Sequence, residues 1–288
     1  MRILLTGATG QVGTALKETL PPLGEIIPAE LPAFDFAQPD SVRAFVRAAD
    51  ADVIVNTAAY TAVDQAESEE AAAFAANRDG PAVLAEEAGR RDALLVHFST
   101  DYVFDGEKPS PYLETDTPNP LNVYGRSKLA GEEAVRASGC RHLIVRTSWV
   151  YSDVGKNFLL TMLRLAGEGK RLRVVDDQIG APTSSLMLAR VLPEAIRRVA
   201  ANQELCGTYH LTASGKTSWH GFAHALLEAS GSRADLVPIA SKDFQTAARR
   251  PRNSLLDRSK IADRLHIRTP PWEEGMRQVL ERLAQTRR

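Results

Sequence analysis

Arg2-Ile-Leu-Leu-Thr-Gly-Ala-Thr-Gly-Gln-Val-Gly13 begins as an apolar run, closes in three glycines spaced three apart, and leads into a helical pattern over Val12 to Leu20 that Pro21-Pro22 stops. Strand, glycine loop and helix in that order open a dinucleotide-binding unit. Gly7 permits the tight turn, Gly10 lets the backbone approach a pyrophosphate, and Gly13 allows the helix to pack closely on the strand. The free N–H groups at the helix start, from Gln11 and Val12 onward, then face the phosphates. The spacing is G-x-x-G-x-x-G, which departs from the commoner G-x-G-x-x-G.

Further strands and helices alternate outward from this unit. Glu25 to Ala29 reads as a second strand, and Glu30 stands 17 residues after Gly13, near the position of a ribose-binding acid; Asp35 is the alternative contact. No arginine lies between Lys17 and Arg43 to receive a 2′-phosphate, which leans toward NADH or dual use. Pro39 opens a helix to about Ala49, and Asp52 to Asn56 is a third strand running into Thr57-Ala-Ala-Tyr-Thr61, small residues that leave room for a ligand. A helical region from Ala66 to about Arg90 bends or splits at Gly80-Pro81. Asn77 within it either faces solvent or bonds inward to active-site backbone. Ala93 to Phe98 is a fourth strand, ending in Ser99-Thr100-Asp101-Tyr102, and Arg141 to Thr147 a fifth. Such alternation requires a parallel sheet. The fold class is therefore α/β, a Rossmann-like doubly wound parallel sheet with a smaller, interleaved C-terminal lobe. Residues 1–150 are assigned to the dinucleotide-binding domain, to which later segments return, and 151–288 mainly to a substrate-binding lobe. The tail from Pro271 to Arg288 reads as an amphipathic helix with a basic end.

Asn122-Val-Tyr-Gly-Arg-Ser-Lys128 supplies the chemistry. Tyr124 and Lys128 are one helical turn apart, ahead of a Ser127 to Arg136 helix that carries Glu132 and Glu133 on its outside. A fixed positive charge lowers the pKa of a neighbouring phenol, and a phenol so tuned exchanges a proton with a carbonyl oxygen as hydride moves at carbon. Thr100, 24 residues upstream, offers a hydroxyl to orient that carbonyl. The proline-rich loop Val103 to Leu121 is long enough to form a functional wall. Arg249-Arg-Pro-Arg-Asn-Ser254 is a basic turn, either a diphosphate contact or structural. His220 and His224 have the spacing of metal ligands, but no third ligand accompanies them and helix packing explains them.

A formal charge of −1 over 288 residues gives no support for nucleic acid or a membrane surface as partner. No apolar run approaches the ~20 residues of a membrane span, and two lone cysteines, Cys140 and Cys206, read as thiols of a cytoplasmic protein.

The glycine loop, Ser99 and Thr100, and Tyr124 with Lys128 together resemble the extended short-chain dehydrogenase/reductases. Longer runs are similar to the dTDP-4-dehydrorhamnose reductase family: Asn56 to Asp64, Ser99 to Gly106, Pro120 to Glu132, Arg146 to Tyr151, Asp177 to Thr183 and Arg250 to Ser254. The resemblance implies that NADPH or NADH reduces the C4 keto group of a dTDP-linked hexulose. Tyr124 would protonate the oxygen, Lys128 would lower its pKa and hold the nicotinamide ribose, and Thr100 would bond the carbonyl. It implies substrate contacts at Thr61, Val63, Asp101, Tyr102 and Trp149, whose ring suits a sugar face. It also implies cofactor contacts at Asp35, Phe36, Ala58, Ala59 and Tyr60, with Asn77 and Ser99 nearby. Some family members are described as magnesium-bridged dimers with a glutamate where this chain has Ala15, so no metal is expected and the chain is a monomer or homodimer. Two rivals share these features: a reductase or epimerase of another dTDP-4-keto-6-deoxyhexose, and a non-catalytic NADP-binding regulatory subunit. The intact Thr100, Tyr124 and Lys128 argue against the second.

Overall fold

A computed structural model describes residues 1–286. Four βα repeats and a fifth strand build the first half: β1 (Arg2–Thr6), α1 (Gln11–Thr19), β2 (Glu25–Ala29), α2 (Pro39–Ala49), β3 (Val53–Asn56), then α3 (Val63–Ala66), α4 (Glu70–Phe74) and α5 (Gly80–Arg90), followed by β4 (Leu94–Thr100), α6 (Val123–Ala137) and β5 (His142–Thr147). The second half carries β6 (Val150–Tyr151), α7 (Phe158–Gly167), β7 (Leu172–Val175), β8 (Ile179–Gly180), β9 (Thr183–Ser184), α8 (Ser185–Ala201), β10 (Gly207–His210), β11 (Thr217–Ser218), α9 (Trp219–Ala229), β12 (Leu236–Ile239), α10 (Ser259–Leu265) and α11 (Trp272–Thr286). The basic end expected at Arg287 and Arg288 lies outside the described residues.

The main sheet has six parallel strands in the order β10-β5-β4-β3-β1-β2. Its inner strands β1, β3, β4 and β5 are buried on both faces because helices cover both. Alternate residues divide cleanly: Ile3, Leu5, Val53, Val55, Leu94 and Val96 join one core with Leu16 of α1 and Leu188, Leu192 and Ile196 of α8. Leu4, Ile54, Leu95 and Ile144 join the other, with Val42 and Val46 of α2, Leu84 and Ala88 of α5 and Val135 of α6. The first core continues without a break into Leu159, Phe222, Trp272 and Met276 of the later elements, which explains why no linker was legible. Strand order reverses between β1 and β3, and in sheets of this kind the crevice at the carboxyl ends beside that point is where ligands bind.

Local chemistry explains two departures from the sequence reading. The helix that carries Tyr124 begins at Val123, ahead of Ser127, because the Asn122 side chain caps it by accepting from the Gly125 N–H at 2.8 Å. The helical region near Gly80-Pro81 does not break: Ala75–Asp79 widens into one π turn, ahead of a proline that has no N–H to donate. Short strands β8 and β9 replace the simple loop expected over Asp176 to Thr183.

Candidate active site

A cavity of about 1170 Å³ opens at the carboxyl ends of β1, β3 and β4. Gly7, Gly10, Gln11 and Val12 form one end, and Glu30, Asp35 and Phe36 lie at its rim. Ala58, Ala59, Tyr60, Thr61 and Val63 form a side, while Ser99, Thr100, Asp101, Tyr102, Tyr124, Lys128 and Trp149 close the inner end. Of the catalytic, cofactor and substrate contacts expected from the sequence, only Gly13 and Asn77 are absent from this wall.

The glycine loop has the form a dinucleotide needs. Gly7 has a φ of +64°, a left-handed conformation that favours glycine, and a Cβ there would come within 2.8 Å of the Ala58 backbone nitrogen. A Cβ on Gly13 would come within 2.1 Å of the Gly7 carbonyl oxygen, so α1 packs on the loop only because that side chain is missing. Gly13→Ala is therefore expected to force the loop apart at a cost of about 2 kcal/mol or more, read as at least about a tenfold loss of NADPH affinity in a fluorescence titration. Gln11 Oε1 and Glu30 Oε1 are buried without protein partners beside this cradle, and Glu30 also accepts from the Thr9 hydroxyl at 2.7 Å. A dinucleotide fits: N–H groups at the start of α1 would hold its phosphates, and acceptors at the rim suit ribose hydroxyls.

Asn77 takes the inward alternative, as positioner and not as cavity wall. It is fully buried; its Oδ1 accepts from the Tyr60 N–H at 2.9 Å, and its Nδ2 donates to the Tyr60 carbonyl at 3.0 Å and to Ser127 Oγ at 2.9 Å. The π turn and the close approach of Gly131 of α6 aim it there. Asn77 thus ties the 57–61 strap to the helix bearing Tyr124 and Lys128.

Tyr124 and Thr100 lie together at the inner end, and Tyr102 packs edge-on against Tyr124 at 5.6 Å. Burial pushes the Tyr124 phenol up to about 12, with the nearby Thr100 hydroxyl opposing. Lys128, expected to lower this phenol, donates to the Phe98 carbonyl at 2.6 Å, and its own pKa is lowered to about 8 by burial, with Glu132 opposing. Asp101 is buried, raised to about 6 by desolvation against hydrogen bonds from Ser254 and Thr100, and its Oδ2 has no partner.

Glu132 is not on the outside of its helix. It is fully buried and receives Nε and Nη2 of Arg146 at 2.8 and 2.7 Å, the Ser99 hydroxyl at 2.5 Å and Arg136 at 3.0 Å. Burial opposes its ionisation, yet Arg146 holds it below the usual carboxylate range. A solvent-facing reading of Glu132 fails because the next strand, β5, turns the matching charge of Arg146 back onto the helix. Ser99 accordingly turns its hydroxyl down to Glu132.

A second cavity, about 1220 Å³, adjoins the first and shares none of its wall. Arg173, Arg249, Arg250 and Arg252 line it, with Phe158, Trp219 and Phe244. Arg250 pairs with Asp64 at 2.6 Å, and Asn122 Nδ2 donates to the Arg249 carbonyl at 2.7 Å, so the basic turn is fastened to the edge of the first cavity. Gly106 of the 103–121 loop lies against Pro251 and Arg252, which makes that loop a wall of the second cavity. The pairing of Asp64 with Arg250, and of Asn122 with the Arg249 carbonyl, leaves no mark in the sequence, since nothing local links positions more than a hundred residues apart. Trp219 was missed altogether. Among the described residues no three His, Cys, Asp or Glu side chains gather as metal ligands. Ala15 is buried in the core, and among the described residues no helix is long and apolar enough to cross a membrane.

A family model described as RmlD substrate binding domain matches residues 1–285. A dTDP-4-dehydrorhamnose reductase of Burkholderia thailandensis is 45% identical, the match covering 94% of this chain and 95% of that one. Two crystal structures of similar proteins superpose closely. A dTDP-4-dehydrorhamnose reductase of Clostridium acetobutylicum has a TM-score of 0.93 at 36% identity, covering 99% of this chain and 100% of that one. The Bacillus anthracis enzyme of the same name, in complex with NADP, has a TM-score of 0.90 at 37% identity, covering 98% and 99%. With a glycine cradle, a Tyr–Thr–Lys cluster and near-complete matches of this kind, the chain belongs to the RmlD substrate binding domain family, the family of the dTDP-4-dehydrorhamnose reductases.

Proposed function

We propose that the chain is an NAD(P)H-dependent reductase that converts the C4 keto group of dTDP-4-dehydro-L-rhamnose to the alcohol of dTDP-L-rhamnose, the last step of dTDP-rhamnose synthesis. One observation carries the reading: Tyr124, Thr100 and Lys128 meet in one cavity with a dinucleotide cradle at its other end, and an arginine-lined cavity adjoins it. The nicotinamide, when bound, supplies hydride to C4. Tyr124 directs its hydroxyl at the carbonyl oxygen, where negative charge develops, and Thr100, which donates to Asp101 at 3.1 Å, would turn its hydroxyl to the same oxygen. Tyr124 then gives its proton to that oxygen. A phenol held near 12 is fully protonated at neutral pH, the state an acid needs. Lys128 offsets the tyrosinate charge left behind. The second cavity holds the diphosphate on Arg249, Arg250 and Arg252, for which guanidinium forks are suited.

The reaction belongs in a reducing compartment, the cytosol, where Cys140 and Cys206 stay free thiols. It runs in a monomer or homodimer without added metal. A Lys128 pKa near 8 sets the pH dependence: the ammonium is charged below that value and lost above it. The log of kcat/KM for reduction is expected to be level near pH 7 and to fall with an apparent pKa of about 8. The reading is tested by NADPH and NADH oxidation with dTDP-4-dehydro-L-rhamnose, with and without EDTA. Turnover insensitive to EDTA supports it; no turnover beside intact cofactor binding favours another dTDP-4-keto-6-deoxyhexose.

A further inference from the structure

The two cavities are divided where a substrate bridging them must lie. On the proposed function, the hexulose bears its diphosphate at C1 and its carbonyl at C4, on opposite sides of the ring. With the diphosphate among the arginines and the carbonyl at Tyr124, the ring itself crosses the partition. Tyr102 and Arg250 form one part of it, and Arg250 is fixed by Asp64. Asn157 and Phe158 form another, and Asn157 is fixed as the α7 cap and by donating to the Ser152 carbonyl at 2.9 Å. The third part is a stack of two indoles, Trp149 facing the first cavity and Trp219 the second, with ring centroids 3.7 Å apart and planes within 10°.

This pair is the replaceable part. Trp149 has a φ of +50°, a left-handed conformation rare for a bulky residue and concentrated at functional sites. Its indole also lies against Gly180, where a Cβ would come within 2.5 Å, so on that contact only main chain stands and nothing can rotate away. Trp219 is a half-buried side chain in the first turn of α9, and rotation about its own side-chain bonds can release the stack. An indole face covered by a second indole is also a surface onto which the C–H face of a sugar ring packs.

We propose that Trp219 is a specificity-determining residue: its indole occupies the face of Trp149 that the hexulose ring takes, and only a sugar that replaces this contact bridges the two cavities. Closely stacked indoles give a paired circular-dichroism band in the far ultraviolet, and Trp149→Phe assigns it by removing it. Saturating dTDP-L-rhamnose is expected to abolish the band, whereas dTDP, which has no sugar, leaves it. In Trp219→Ala the competitor is gone, so the ratio of the dTDP Kd to the dTDP-L-rhamnose Kd, measured by calorimetry, rises at least about threefold. Trp219→Phe keeps a stacking ring and stays near the wild-type ratio. A band that survives saturation with dTDP-L-rhamnose, or a ratio that falls in Trp219→Ala, overturns the proposal and leaves the reductase reading standing. Failure of both dTDP and dTDP-L-rhamnose to bind the wild-type protein overturns the nucleotide-sugar reading and this proposal together.

Discussion

Tyr124→Phe is expected to reduce kcat for dTDP-4-dehydro-L-rhamnose by about a thousandfold, within the range measured for loss of a general acid, while NADPH affinity changes little. The substitution removes one oxygen and keeps the ring, so the edge contact with Tyr102 at 5.6 Å and the packing of α6 persist. What is lost is the proton donor and one of two hydroxyls at the carbonyl; Thr100 remains, held by Asp101 at 3.1 Å. Because the interaction strengthens as charge develops on oxygen, the loss falls on kcat more than on KM. An equal loss in Trp149→Phe and none in Tyr124→Phe would move the chemistry elsewhere.

The second large effect is structural. Glu132→Ala leaves Arg146 buried with no counter-charge and strands the Ser99 hydroxyl, and breaking a buried pair in this way costs about 3–5 kcal/mol. In a chain of this size that corresponds to a fall in Tm of roughly 10 °C, measured by calorimetry at neutral pH. One terminal nitrogen of Arg146 is already without a partner. Replacing both partners, Glu132→Leu with Arg146→Met, is expected to recover most of the loss, since an apolar pair of similar volume carries no desolvation cost. A double variant no more stable than Glu132→Ala would show that packing of the site strand, and not the uncompensated charge, sets the penalty.

Legibility in the sequence followed the range of the interactions. The glycine loop, Tyr124 with Lys128, and the apolar strand runs are local patterns, and local patterns specify β1, α1 and the strands of a parallel sheet. Asn77 was open between solvent and interior because a π turn, which rotates it inward, leaves no mark in periodicity. Glu132 was misplaced because a helical pattern reads charge as outward, and only the partner strand reveals Arg146. The same holds for Asp64 with Arg250, 186 residues apart. The Tyr124 and Lys128 pairing was legible as spacing, but not as electrostatics. Burial of both groups, which the sequence does not state, outweighs the charge of one on the other.

Transfer of deuterium from nicotinamide-deuterated NADPH to dTDP-4-dehydro-L-rhamnose tests the central claim most directly. Mass spectrometry and NMR of the product should show dTDP-L-rhamnose with one deuterium, bonded to C4, in the wild-type protein and almost none with Tyr124→Phe in the same time. Deuterium at another carbon, or consumption of NADPH with no label in the sugar, would contradict the reading of this site as a C4 reductase.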